Sequence, residues 1–235
     1  MTARLPPIAA QRVRNANIRE QAERIARSVE LHPEHAPVPV VVVPANTRET
    51  EPLPPRSRRA FLERLQATVQ RVYTVGAINE DALATAEESA AASNAAAPGD
   101  DAAILGRSCA TCRGECCTAG GDHAFLRDDS ITRVRATHVA LDEDGVLALY
   151  AAHLPSRHYR GSCVYHTTDG CALPRALRSN LCNRYVCGGV TQLRSALASS
   201  GASIAFIAAA DSVHVRRMAL INATESRPIA LTSLA

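Results

Sequence analysis

Eight cysteines fall between Cys109 and Cys187 of a 235-residue chain, and the rest of the chain has none. A set so confined either cross-links the segments that carry it or surrounds a shared centre. The cysteines come in three ordered groups: Cys109, Cys112, Cys116 and Cys117; then Cys163 and Cys171; then Cys182 and Cys187. Cellular compartment separates the two readings. The chain starts Met1-Thr-Ala-Arg-Leu-Pro-Pro, with Gln11, Arg12, Arg14 and Asn15 soon after. No run of about seven apolar residues follows a basic start, so no secretory signal is visible. The apolar runs Val38 to Val43 and Ser203 to Ala210 are far too short to cross a bilayer core of roughly 30 Å. We therefore expect a cytoplasmic chain with no membrane partner, in which clustered cysteines bind metal rather than form structural disulfides.

Composition bears on how such a chain makes a core. Hydrophobic residues make up 46%, but aromatics only 3%, and tryptophan is absent. Alanine occurs 43 times, so the core is built from small aliphatic side chains. A metal centre would compensate for the missing aromatic bulk. There is no lysine; all 26 basic residues are arginine. That excludes a lysine Schiff base, a Walker-type phosphate lysine and a lysine general base. It also makes arginine richness poor evidence for a polyanionic partner, and a net charge of +3 adds little.

The spacing within each group specifies the chemistry further. Cys109-x2-Cys112 suits a metal because a tight turn aims both sulfurs at one point, and Gly114 permits the turn. Cys116 and Cys117 are adjacent, and neighbouring side chains normally diverge. One of them then binds while the other packs, or the pair serves two ions. The order x2 then x3 is the reverse of the radical S-adenosylmethionine motif, and the bacterial ferredoxin run fails by one residue. In the second group, Val164-Tyr-His166 predicts a short strand and Asp169-Gly170 a turn, which makes a small hairpin with a cysteine at each base. In the third, Pro174 opens a helix that carries Arg178, Cys182 and Tyr185 on one face, and Gly188-Gly189 ends it. Arg113, Arg175, Arg178 and Arg184 lie close enough in sequence to offset thiolate charge. His123, His158 and His166 are nearby in sequence, with His166 the best placed of the three to join the ligands.

Together these segments resemble the zinc- or iron-chelating cysteine-cluster family, of the CxxCxxCC or YkgJ-like type. The resemblance covers roughly residues 109 to 190. The family's opening cluster maps onto Cys109, Cys112, Cys116 and Cys117. Its middle cysteines map onto Cys163 and Cys171, and its closing R-P-x-x-C-x-x-aromatic segment onto Arg178, Cys182 and Tyr185. Three residues rather than two separate Cys112 from Cys116, and Ser179 stands where the family has proline. The resemblance implies a zinc, iron or iron–sulfur centre on Cys109, Cys112, Cys116, Cys117, Cys163, Cys171, Cys182 and Cys187. It assigns no reaction. A flagellin lysine methylase with a similar cysteine region suggests a methylase as an alternative, but no glycine-rich loop follows a strand in this chain.

Around the cysteines the pattern is mostly helical. Ile18, Ala22, Ile25 and Val29 share one face of a basic helix over residues 8–31. That helix packs on the rest or serves a protein partner. The six arginines up to residue 27 could also touch phosphates in a zinc module for nucleic acid, a reading disfavoured by the scarcity of aromatics and the lack of a reading helix. Seven prolines around Val40-Val-Val-Val43 make residues 32–58 an extended linker or edge segment. Phe61, Leu62, Leu65, Val69 and Val72 form the stripe of a helix capped by Ser57, and a second helix covers 79–97. Asp128-Asp129-Ser130 and Asp142 cap two more, the latter ending at Pro155. Residues 191–235 resume a helical pattern through Leu193, Leu197, Ile204, Phe206 and Ile207, with a loose tail after Thr224. The expected fold is mostly α with a small β-hairpin: an irregular, metal-stabilised cysteine-cluster domain (105–190) flanked by helices. Its flanks are an N-terminal extension (1–56), a helical segment (57–98) and a C-terminal helical segment (191–235).

Overall fold

A computed structural model gives the structure of the chain, describing residues 7–29, 38–74 and 100–231, with side chains from 15 in the first segment and from 103 in the last. About 50% of it is helical and about 19% strand. The chain divides into two compact units, each built from separate stretches. The first comprises Met1–Thr47, Ala97–Glu115 and Val186–Ala235; the second, Arg48–Ala96 and Cys116–Tyr185. The cysteine-bearing span is shared between them.

The first unit is a four-stranded sheet with helices on both faces. The strands are β1 (Val40–Pro44), β6 (Ile204–Ala210), β7 (Val215–Asn222) and β8 (Ser226–Ile229), in the order β1-β6-β7-β8. β1 runs parallel to β6, from Val40 opposite Phe206 to Pro44 opposite Ala210, and the other pairs are antiparallel. Successive residues of β6 point to opposite faces. Phe206, Ala208 and Ala210 pack with Ile18, Ala22, Ile25 and Ala26 of α1 (Pro7–Ser28). Ala205, Ile207 and Ala209 pack with Ile104 of α3 (Asp100–Cys112) and with Leu193 and Leu197 of α7 (Gly188–Ser200).

The second unit is a helical cluster with two short strand pairs. Its helices are α2 (Pro55–Thr74), α4 (Asp128–Thr137), α5 (Glu143–Ala152) and the short α6 (Asn180–Arg184). β2 (Thr50–Pro52) pairs with β3 (Arg157–Tyr159), and β4 (His166–Thr167) with β5 (Gly170–Cys171). Phe61, Leu65, Val69 and Val72 of α2 meet Ile131 and Val134 of α4, Val146 and Tyr150 of α5, and Val164, Tyr165, Leu173 and Leu177. The Phe61 and Tyr165 rings meet edge to face at 5.2 Å. The stripe read from α2 is therefore a core stripe, as expected.

Several expectations need correction. Residues 204–229 form three strands, not a helix, because β6 is covered on both faces and shows no polar alternation to mark it as a strand. The stretch after Thr224 includes β8, an edge strand that tolerates Pro228 because an outward position needs no ladder N–H. The β content is therefore a mixed sheet and two short pairs rather than one hairpin. Ser57 does not cap α2; the helix opens at Pro55, whose fixed φ suits the first helical position. Asp128 and Asp129 lie in the first turn of α4, where they face the positive end of the helix dipole, instead of capping it. Asp142 does cap α5, its carboxylate accepting from the Gly145 N–H at 2.8 Å. Gly188-Gly189 begins α7 rather than ending a helix. A Cβ on Gly189 would lie 2.6 Å from the Val42 carbonyl oxygen, so only glycine lets α7 approach β1 this closely. The expected helix over 79–97 lies outside the described residues. Among the described residues no helix is long and apolar enough to cross a membrane.

Candidate metal centre

None of the eight cysteines is joined in a disulfide. Cys109, Cys112 and Cys187 belong to the first unit, and Cys116, Cys117, Cys163, Cys171 and Cys182 to the second.

In the first unit, Cys109 and Cys112 occupy the last turn of α3, three residues apart on one helix face, so this C-x2-C is helical and not a turn of its own. The turn follows it: Arg113 and Gly114 both take positive φ, 59° and 69°. Two side chains satisfy the carbonyls that the helix end leaves open. Arg217 donates to the Thr111 and Cys112 oxygens at 2.9 and 3.1 Å, and Asn46 to the Arg113 oxygen at 3.1 Å. The Cys112 sulfur accepts from the Glu115 N–H at 3.3 Å. Cys187 is the residue that precedes α7.

In the second unit, four separated segments bring five thiols into one electrostatic neighbourhood. Cys116 and Cys117 lie in a 3-10 helix, Glu115–Gly120. The Cys163 N–H donates to the Cys117 carbonyl at 3.2 Å, and the Val164 N–H to the Gly121 carbonyl at 2.9 Å. Cys171 ends β5, opposite His166 of β4, so the expected hairpin is present with Cys171 paired to His166 rather than to Cys163. Cys182 lies in α6. The Cys117 thiol is pushed up by its hydrogen bond with Cys116, then by burial, then by the charges of Cys116, Cys163 and Cys171. The Cys116 and Cys117 side chains thus meet, although adjacent side chains were expected to diverge. Burial pushes Cys163 up to about 12, with Cys171 and Cys182 adding to the shift. Cys182, exposed as a residue, has its thiol raised by desolvation and by Cys171 and Cys116, while Ser179 and Arg178 pull it down.

The loop before Cys182 departs from the expected single helix. Pro174 precedes a short 3-10 turn, Arg175–Leu177; Arg178 is extended; and α6 starts afresh at Asn180. Arg178 and Cys182 therefore do not share a helix face, and Tyr185 ends α6. Ser179 caps the new helix, its hydroxyl accepting from the Cys182 N–H at 3.0 Å. At φ −60° and ψ 153° its backbone is one that proline could also adopt. Arg178 donates to the Leu173 and Cys171 carbonyls at 2.8 and 3.3 Å. Of the four arginines expected near thiolates, Arg178 acts on a cysteine of this unit, lowering Cys182.

Sequence reading missed the residues that hold this loop. Buried Arg133 donates to the Asn180 side chain and to the Arg178 and Ala176 carbonyls, and Asn180 donates to Asp129 at 2.9 Å. The Tyr165 O–H reaches the Tyr150 carbonyl at 2.8 Å, and the Tyr150 O–H the Leu177 carbonyl at 3.0 Å. No spacing rule marks these residues, because their partners are backbone groups far away in sequence. His166, expected as the best histidine ligand, is buried with Nδ1 2.8 Å from the Ser162 hydroxyl and its ring 4.6 Å from that of Tyr159. His123 accepts from the Phe125 N–H at 3.0 Å. His158 is buried with Nε2 3.8 Å from the Glu51 carboxylate.

Among the described residues, no three histidine, cysteine, aspartate or glutamate side chains stand in an arrangement that could hold a metal ion. Thiolates are soft donors of the kind that zinc and iron take, but the five thiols of the second unit do not stand together as such a group. Set against known proteins, the chain matches no family model, and no curated protein or solved structure matches it significantly.

Proposed function

We propose that the chain is a metal-binding protein whose centre is a cysteine-ligated zinc, iron or iron–sulfur group held by the second unit. The observation that carries this reading is the gathering of Cys116, Cys117, Cys163, Cys171 and Cys182 from four segments, each close enough to oppose ionisation of another. Thiols raised by burial and by one another ionise together far more readily beside a cation, which replaces their repulsion with attraction and releases their protons. A bound group would supply a cross-link between the four segments and, if it contains iron, one-electron chemistry.

The protein's own residues would do the rest. Cys117, Cys163, Cys171 and Cys182 make a four-sulfur set, with Cys116 adjacent to Cys117. Ser179 and Arg178 stabilise the charged form of Cys182 and so favour it as a ligand. Burial of Cys163 keeps that side of the set away from water. Metal analysis of the anaerobically purified chain tests the reading. We expect roughly one equivalent of zinc, or stoichiometric iron with or without sulfide and a matching visible absorption. Cys163→Ser should lower the content sharply. A metal-free wild-type chain that also fails to take up zinc or iron on reconstitution would falsify the proposal.

A further inference from the structure

Gly120 stands where the 3-10 helix Glu115–Gly120 meets Cys163. A Cβ built on Gly120 would lie 2.8 Å from the Cys163 Cβ and 3.1 Å from its sulfur, closer than side chains tolerate. The Cys163 side chain therefore fills the space that a side chain at 120 would take. In a 3-10 helix, residues three apart eclipse one another, about 6 Å along the axis, and Cβ atoms lean toward the N-terminus. The residue three before Gly120 is Cys117. The vacant position at 120 thus lies under the Cys117 side chain, and Cys163 occupies it. The hydrogen bonds from the Cys163 and Val164 N–H groups to the Cys117 and Gly121 carbonyls hold this arrangement from the backbone side.

We propose that Gly120 is a positioning residue, which by lacking a side chain seats the Cys163 sulfur beside Cys117 and makes these two the dithiol on which a thiophilic ion first closes. The assignment of the ion rests on the metal-binding reading; the dithiol itself does not. Two sulfurs bound to one zinc stand about 3.8 Å apart at tetrahedral angles with Zn–S near 2.3 Å. Cys116, exposed and next to Cys117, and Cys171 and Cys182 would then complete the set.

Two probes on the full reduced chain test this. Dibromobimane joins two nearby thiols, and mass spectrometry locates the joined peptides. We expect a Cys117–Cys163 cross-link in the wild type that falls at least tenfold in Gly120→Ala, since the new methyl displaces Cys163. Cobalt(II) is the second probe, and its thiolate charge-transfer band should weaken in Gly120→Ala relative to the wild type. A cross-link unchanged by Gly120→Ala overturns the proposal whatever the cobalt result. A wild type that cross-links but takes up no cobalt overturns the metal-binding reading and leaves the dithiol standing. If Gly120→Ala does not fold, Cys163→Gly is added to it. Recovered folding shows that the clash is with Cys163 and supports the assignment, and failure to recover overturns it.

Discussion

Asp211 shows how much a single polar side chain can settle. It sits at the turn between β6 and β7, where its Oδ1 accepts from the Val213 and His214 N–H groups at 2.7 and 2.9 Å and its Oδ2 pairs with Arg216. Those backbone bonds, more than the arginine, hold its carboxyl at about 2, below the usual 3.8. A carboxyl depressed in the folded state adds stability that is complete above the unfolded value and disappears as pH falls through the folded one. The first unit should therefore lose stability as pH falls from about 4 to 2, and Asp211→Asn should flatten that part of the profile, as followed by urea midpoints across pH. A mutant profile as steep as that of the wild type would reject the assignment. Arg133 makes the corresponding point in the second unit. One buried guanidinium satisfies two carbonyls and an amide around the loop that leads to Cys182. Neither residue stands out in the sequence, which has 26 arginines with nothing to rank them.

Among elements, those with a strong period of their own were legible. The stripe of α2, the cap at Asp142 and the hairpin turn at Asp169-Gly170 each depend on contacts a few residues apart. The elements misread are those whose character comes from partners distant in sequence. β6 reads as apolar and alanine-rich, compatible with a buried helix, until α1 and the α3–α7 layer cover its two faces. Gly188-Gly189 reads as a helix stop, since glycine commonly follows a helix end. In the structure it is a helix start, and the second glycine is set by the approach of β1. This gives a paired test. Gly189→Ala places a methyl against the Val42 carbonyl and should cost about 1–3 kcal/mol, as overpacking does. Gly188→Ala meets nothing within 4 Å and should change stability by less than about 0.5 kcal/mol. Equal denaturation midpoints for the two variants would refute the packing argument.

At the scale of the whole molecule, the chain crosses between its two units more than once, so neither is a continuous stretch. The cysteine-rich span is divided between the units: Cys109, Cys112 and Cys187 belong to one and the other five to the second. A centre that ties Cys116 to Cys182 would stabilise the second unit through mass action. A site at a ligand concentration a thousandfold above its Kd adds about 4 kcal/mol. Removing metal with a chelator should accordingly speed proteolysis within the second unit, and Cys182→Ser should do the same without chelator. An identical digestion pattern before and after chelation would count against a structural metal. The few aromatic residues bear on the same balance: with Tyr150, Tyr165 and Phe61 as the largest fully buried side chains among the described residues of this unit, its core has little bulk to spare.

Taken alone, the sequence determined the elements that carry their own local signals, the exclusion of lysine chemistry, and the candidate ligands as a chemical type. These follow from residue identity and short-range spacing, which need no partner. Only the tertiary structure decided that β6 is a strand, that Ser179 caps a separate helix, that five thiols share one unit, and that Gly120 makes room for Cys163. Each of these depends on groups tens of residues apart meeting at van der Waals or hydrogen-bond distance, and that information enters only when the chain has folded.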